Sequence, residues 1–335
     1  MRFLALPALI LTLVHGSASA QIYADFETSL GTFTCELNYS AAPKTVANFI
    51  SLAEGTRAWA NPSTGTLREN TPFYDGLIFH RVIAGFMNQS GCPMGTGSGG
   101  PGYQFPDENN GLVHVPYVIS MANSGANTNG SQFFVTVPRP SPLNFEHLDG
   151  VHTIFGTVTA GRNIVDQINA VPVSSSAGKP VTPVVINRVI IRKIGAAANA
   201  FAISAQALPV VSVARFEIEV DQALQFAKGI PLSPPSGGRV TYTYRSNDLN
   251  GWEPRMKSYH GLGNQSAEPF LIDEVVGLAQ SIGSHGFYRF TQAEHTDAFV
   301  PASLAGKTLR ADWSNQHVIF TIGGTGTTGS MDYSN

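Results

Sequence analysis

Ile22, Ala24 and Phe26 alternate with Tyr23, Asp25 and Glu27, a period of two that predicts a half-buried strand. Ser29-Leu30-Gly31 turns the chain into a second strand over 32–37, where Phe33, Cys35 and Leu37 share a face. The period then changes. Val46, Phe49, Ile50 and Ala53 recur at i, i+3, i+4 and i+7, which predicts a helix with Ser40 as its cap, Pro43 in its first turn and Gly55 as its stop. A polar segment over 56–71 leads to short apolar runs at 77–79, 117–121, 133–137 and 153–158, separated by glycine-rich turns. Ile164, Val165 and Ile168 mark a second short helix over 162–169, and 184–194 reads as a closing strand. Two helices among many short strands, with no strand–helix–strand alternation, predict a closed antiparallel β-barrel with helical plugs.

The pattern changes again after Gly195. Residues 195–211 are rich in alanine and, Phe201 apart, poor in large apolar side chains, so they read as a linker. From Ala214 strand-like runs at 215–220, 240–244, 286–291 and 317–322 alternate with glycine and proline, and no helical period stands out. A length of 335 residues also exceeds the roughly 250 at which single cores stop growing. The expected division is therefore a targeting segment over 1–20, a first domain over 21–195, a linker over 196–213 and a β-rich domain over 214–335.

Composition narrows the setting. Charged residues make up 13% of the chain and the net charge is −3, which leaves no basic face for nucleic acid. Arg2, the apolar run Leu4 to Val14 and Ala18-Ser19-Ala20 have the layout of a cleavable export signal. That run is shorter than the ~20 residues needed to span a bilayer. The expectation is an exported protein, in a bacterial periplasm or outside the cell, with no membrane span after cleavage. Cys35 and Cys92 could pair in such a compartment. Their settings differ, one on a core-facing strand and one in the loop Ser90-Gly91-Cys92-Pro93, so two free thiols are expected. Neither has a neighbour in sequence that would activate it.

Three blocks carry chemistry: Phe79-His80-Arg81-Val82-Ile83-Ala84-Gly85-Phe86-Met87-Asn88-Gln89-Ser90-Gly91, then Ser120-Met121-Ala122-Asn123-Ser124-Gly125-Ala126-Asn127-Thr128-Asn129-Gly130-Ser131-Gln132-Phe133-Phe134, then His147-Leu148-Asp149-Gly150-Val151-His152-Thr153-Ile154-Phe155-Gly156. In this order and spacing they resemble the cyclophilin-type peptidyl-prolyl cis/trans isomerases, over residues 22–195. The glycine-rich loop 95–103 and the insert after Gly55 resemble the bacterial branch. The resemblance implies a closed eight-stranded barrel capped by two helices, and no cofactor. It also implies a catalytic set of Arg81, Phe86, Gln89, Phe134 and His152, with Met87, Ala122, Asn123, Gln132, His147 and Leu148 holding substrate. His147 stands where the best-known members have tryptophan, and Ser90 replaces the first glycine of a Gly-Gly pair. The histidine substitution implies at most weak binding of cyclosporin-type inhibitors.

The residue types suit that chemistry on their own terms. Rotation about an X–Pro bond meets a barrier of roughly 18–20 kcal/mol because twisting breaks amide resonance. A catalyst has to grip the proline ring and stabilise an imide nitrogen that turns basic as the bond twists. An always-charged, planar guanidinium is a suitable donor. Without the resemblance, Phe86, Met87, Phe134 and Leu148 would read as barrel core, Arg81 as an ion-pair residue and His152 as structural. His80 alternates away from Arg81 and reads as structural. No H-E-x-x-H, phosphate-cradle or G-x-S-x-G pattern is present. The expected partners are proline-containing polypeptides, met by a monomer that assists their folding. Two other classes compete: a peptide-binding chaperone or scaffold with little turnover, and an adhesion or glycan-binding protein using Tyr242, Tyr244, Trp252, Tyr259 and Trp313.

Overall fold

The computed structural model describes residues 20–140, 144–174 and 177–213, and, as backbone, the strands between 216 and 334. The expected export signal and Trp252 lie outside the described residues. The first half is built on strands β1 (Gln21–Thr28), β2 (Gly31–Leu37), β3 (Trp59–Ala60), β4 (Leu67–Arg68), β5 (Arg81–Ile83), β6 (Met87–Ser90), β7 (Val118–Met121), β8 (Phe133–Thr136), β9 (Ile154–Ala160) and β10 (Ile186–Ile194). Eight of them form one antiparallel sheet in the order β10-β1-β2-β9-β7-β8-β6-β5, and β3 pairs with β4 beside it. Alternation sets the inner face. Ile22, Ala24 and Phe26 are buried and stand opposite Leu37, Cys35 and Phe33. Phe26 and Phe33 stack at 4.6 Å. Irregular register in β1, β2 and β7 bends the sheet, as bulges do, and it curls around its own core.

Helix α1 (Pro43–Ala53) fills that core, and every residue from Thr45 to Ala53 is buried. Phe49 meets Phe26, Tyr74, Phe133 and Phe155 at 4.9–5.9 Å. Ser40 does not cap the helix. Ala42 holds the cap position without a side-chain bond. Instead the Glu108 carboxylate, far along the chain, accepts the Lys44 and Thr45 amides at 2.9 and 2.7 Å and the Thr45 hydroxyl at 2.7 Å. A carboxylate at a helix N-terminus satisfies orphan amides and opposes the positive end of the dipole.

The run 77–79, expected as a strand, makes a single bridge, Ile78 to Val185, and the strand proper begins at Arg81. Residues 76–82 nonetheless run beside 178–186. Gly76 N–H donates to Ile186 O, Ile186 N–H to Leu77 O, Phe79 N–H to Val184 O and Val82 N–H to Gly178 O, at 2.7–3.0 Å. Helix α2 (Arg162–Asn169) supports the β5–β6 hairpin from below. Its last residue, Asn169, accepts Gly85 N–H at 2.8 Å and donates to Ile83 O and Asn88 Oδ1 at 3.0 and 2.8 Å.

Residues 196–213, expected as a loosely attached linker, are packed down. They contain helix α3 (Ala196–Asn199), a turn of 3-10 helix (Ile203–Gln206) and strand β11 (Val210–Val213). Ala198, Leu208 and Val211 are buried in the same core as the first half, and Phe201 meets Tyr39 at 5.3 Å. Arg57 Nη1 donates to Pro209 O at 2.6 Å. Small apolar residues can dock where a partner surface is already shaped to receive them.

Beyond 213 the described backbone consists of strands. β11 pairs with Phe287–His295, which pairs with Gly238–Ser246 and through it Glu253–His260. Two three-stranded sheets hold Phe216–Asp221, Phe226–Pro231 and Phe270–Glu274, and Thr308–Trp313, Gln316–Ile322 and Gly329–Ser334. Each run predicted from the sequence there coincides with one of these strands. The side chains of Tyr242, Tyr244, Tyr259 and Trp313 lie outside what is described.

Candidate active site

Register brings the sequence blocks together. Arg81 faces Gln89 across β5–β6, Gln89 faces Phe134 across β6–β8, and Phe134 faces Ser120 across β7–β8. On this outer face Met87, Phe134, Phe145 and Leu148 form a second buried cluster, distinct from the main core, with Ile83, Phe86 and Ala122 packed against it. All the apolar residues assigned to the proline pocket are therefore in one place. Phe145, missed in the sequence, joins them by stacking on Phe86 at 6.0 Å. His147 is exposed on the following 3-10 turn (Glu146–Leu148), its ring 5.8 Å from Phe86. Arg139 lies over the faces of Phe86 and Phe145 at 4.6 and 5.3 Å, a cation–π arrangement the sequence did not announce.

Beside the cluster runs a chain of amides. The exposed Arg81 guanidinium donates from Nη1 to Gln89 Oε1 at 3.2 Å. Gln89 Nε2 donates to Gln132 Oε1 at 3.0 Å, and Gln132 Nε2 to the Gly97 and Gly99 carbonyls at 2.7 and 2.9 Å. Arg81 is thus tied to Gln89 through one of its five donors, with others left over. Asn123, half-buried, donates to Val151 O at 2.8 Å. His152 Nδ1 lies 3.0 Å from Met121 O, which can only accept, so Nδ1 carries the proton and Nε2 is left with its lone pair. The ring meets Phe134 edge-on at 5.5 Å, and burial holds its pKa below the ordinary 6.5.

Ser90 is wholly buried and donates to Ile78 O at 2.9 Å, while Gly91 adopts φ +83° with Ser131 O only 2.2 Å from where a Cβ would sit. Only the second glycine of the pair is demanded by the backbone. Cys35 and Cys92 are free and buried. Burial pushes the Cys35 thiol up. Burial also acts upward on Cys92, but the amides of Gly99, Thr96, Met94 and Gly97 outweigh it and the net shift is downward. The glycine-rich loop folds the Gly97 and Gly99 amides onto the Cys92 sulfur at 3.2 and 3.3 Å. His80 is buried with both ring nitrogens unpartnered, and burial, with Arg81 adding to it, lowers its pKa to about 4. Among the described residues no group of three His, Cys, Asp or Glu side chains is placed to hold a metal ion.

A β-sheet curled on a buried helix carries on its outer face a buried apolar cluster and, beside it, the exposed Arg81. The family described as cyclophilin type peptidyl-prolyl cis-trans isomerase/CLD matches residues 23–191. The chain is 48% identical over 175 residues to peptidyl-prolyl cis-trans isomerase B of Streptomyces anulatus, covering 51% of this chain and 97% of that one. It is 45% identical over 174 residues to a probable peptidyl-prolyl cis-trans isomerase A of Mycobacterium leprae, covering 50% and 91%. A cyclophilin-type isomerase structure from Cryptosporidium parvum overlaps with a TM-score of 0.43 at 30% identity, covering 51% of this chain and 98% of that one. The chain belongs to the cyclophilin-type peptidyl-prolyl cis-trans isomerase family, and its enzyme class is peptidyl-prolyl cis-trans isomerisation.

Proposed function

We propose that Arg81 is the catalytic donor of an isomerase that turns X–Pro bonds in proline-containing polypeptides. The observation that carries this reading is the Arg81 guanidinium held by Gln89 beside the apolar cluster of Phe86, Met87, Phe134 and Leu148. A proline ring seated on Phe134 would bring its imide nitrogen toward that guanidinium. As the bond twists, resonance is lost and the nitrogen gains a lone pair, and a charged donor already in place stabilises it without reorganisation. Gln89, Gln132, Ala122 and Asn123 hold the flanking backbone, His147 edges the pocket, and His152 supports Phe134. No cofactor enters the chemistry.

Several wider statements belong to the same proposal. The hydrogen bonds between 76–82 and 178–186 support closure of the eight strands into a barrel, with no free edge. The N-terminal pattern supports export to the periplasm or beyond, where proline isomerisation limits the folding of polypeptides as it does elsewhere. The protein acts as a monomer on such chains. Residues 21–195 carry the activity, and residues 214–335 form a second β-rich domain.

The test is Arg81→Ala. Isomerisation of a proline tetrapeptide, followed by NMR exchange, should fall by about two orders of magnitude, while peptide affinity stays within about tenfold. Near wild-type turnover would remove the mechanism. Retained peptide binding with negligible turnover in the wild-type protein would favour the chaperone reading instead.

A further inference from the structure

Behind Phe134 lies a set of polar side chains for which the isomerase reading has no use. His114 is only 6% exposed, between the exposed Val113 and Val115. Its Nδ1 lies 2.7 Å from Asp149 Oδ1, and the same oxygen accepts its backbone N–H at 2.7 Å. Its Nε2 lies 3.0 Å from Ser120 Oγ. Its ring stacks on Phe134, with centroids 5.9 Å apart and planes at 13°. One imidazole therefore ties together three parts of the site: strand β7 at Ser120, the pocket floor at Phe134, and Asp149, which follows the turn carrying His147 and Leu148.

The Ser–His–Asp order suggests a nucleophile, but the placement rules it out. Ser120 is wholly buried and no substrate carbonyl can reach its hydroxyl. Burying this many polar groups is costly unless each is satisfied, and here each is. We propose that His114 is a positioning residue of the isomerase, fixing the distance between Phe134 and the Leu148 turn and so the width of the proline pocket. The proposal rests on the isomerase reading of that pocket.

Proton accounting makes the device testable. A carboxylate only accepts, so Nδ1 carries a proton in both states. With neutral His114, Nε2 accepts the Ser120 hydroxyl. With charged His114, Nε2–H donates to Ser120 Oγ, and the hydroxyl turns to Thr153 O, 3.1 Å away. Every partner stays satisfied in either state. The titratable groups facing the ring are Asp149, His147 and His152. Burial disfavours the charged form and outweighs Asp149, so His114 is held below the ordinary 6.5. Above that value it is neutral. Proton uptake at lower pH turns the hydroxyl toward Thr153 O, next to His152, and sets a cation against the face of Phe134.

The experiment uses the full mature chain and a proline tetrapeptide, with Kd from NMR titration and turnover from NMR exchange, between about pH 5 and pH 8. His114→Ala should weaken peptide binding about tenfold at pH 7.5, with the rate at saturation within about threefold of wild type, because the pocket loosens while Arg81 stays in place. His114→Gln keeps a donor toward Asp149 and an acceptor for Ser120, so it should restore Kd at pH 7.5. It should also reduce the wild-type change in Kd on acidification, leaving only the part that belongs to His152. Two results would overturn the proposal: His114→Ala binding within about twofold of wild type, or the same acid inflection in wild type and His114→Gln. If His114→Ala does not fold, the comparison of wild type with His114→Gln decides alone. Absent wild-type turnover with peptide binding intact would remove the isomerase reading, while Kd would still judge His114.

Discussion

His147 is the residue whose identity bears most on what the proposed proline pocket would hold. Its ring lies exposed against Phe86, where an indole would add apolar area and an N–H donor. Cyclosporin-type inhibitors should therefore bind weakly. His147→Trp should tighten inhibition about tenfold or more, with turnover on a short peptide nearly unchanged. Tight inhibition of the natural protein, measured by competition, would show that the rest of the groove makes up for the missing indole. His80 carries a different consequence. In the unfolded chain it takes a proton near 6.5, in the folded protein only near pH 4, because burial penalises the charge. The unfolded state thus binds more protons between those values, so the contribution of His80 to stability is constant above about 6.5 and falls as pH drops toward 4. One such group contributes a slope of about 1.4 kcal/mol per pH unit across its window. His114 and His152, also shifted downward, act in the same direction. Urea midpoints against pH should fall less steeply for His80→Phe; parallel curves would show that His80 is not held neutral.

At the scale of elements, α1 shows how far local signals reach. Its apolar period and Pro43 marked the helix, but the capping group is Glu108. Glu108→Ala should destabilise the fold by about 1–2 kcal/mol, since it frees two amides and a buried hydroxyl at a helix N-terminus. Ser40→Ala should cost less than about 0.5 kcal/mol, the usual scale for a surface change. Urea unfolding at constant m-value separates the two; a larger loss at Ser40 would return the cap to its sequence position. The strands divide the same way. β1 and β2 alternate over seven or eight residues and were legible to within a residue. β5 and β6 are three and four residues long, too short for a period to develop, and are held instead by Asn169 of α2.

At the scale of the molecule, the docked segment 196–213 revises where the first unit ends. Leu208 and Val211 are buried in the isomerase core, and their transfer from water is worth about 1.5–3 kcal/mol each before ordering costs. A chain of residues 21–195 should be soluble, monomeric and as active on a short peptide as the full protein, because the pocket lies on the far strands β5 to β8. A chain of residues 21–213 should be equally active and more stable by at least about 2 kcal/mol in urea. Equal midpoints would mean that the segment only rests on the surface. Loss of activity in both would mean that residues beyond 213 complete the groove.

What the amino-acid order determined by itself was whatever is written in neighbours: alternation in β1 and β2, the helical period of α1 and α2, and the three blocks bearing Arg81, Phe86, Gln89, Phe134 and His152. These are local because backbone period and motif spacing are properties of consecutive residues. Tertiary structure alone decided the pairs that meet across long separations. Glu108 reaches the start of α1, Asn169 the β5–β6 hairpin, Gln132 the Gly97 and Gly99 carbonyls, and His114 both Asp149 and Phe134. Each is a polar side chain whose partner is chosen by the need to satisfy buried donors and acceptors, and that need exists only once the chain has folded around them.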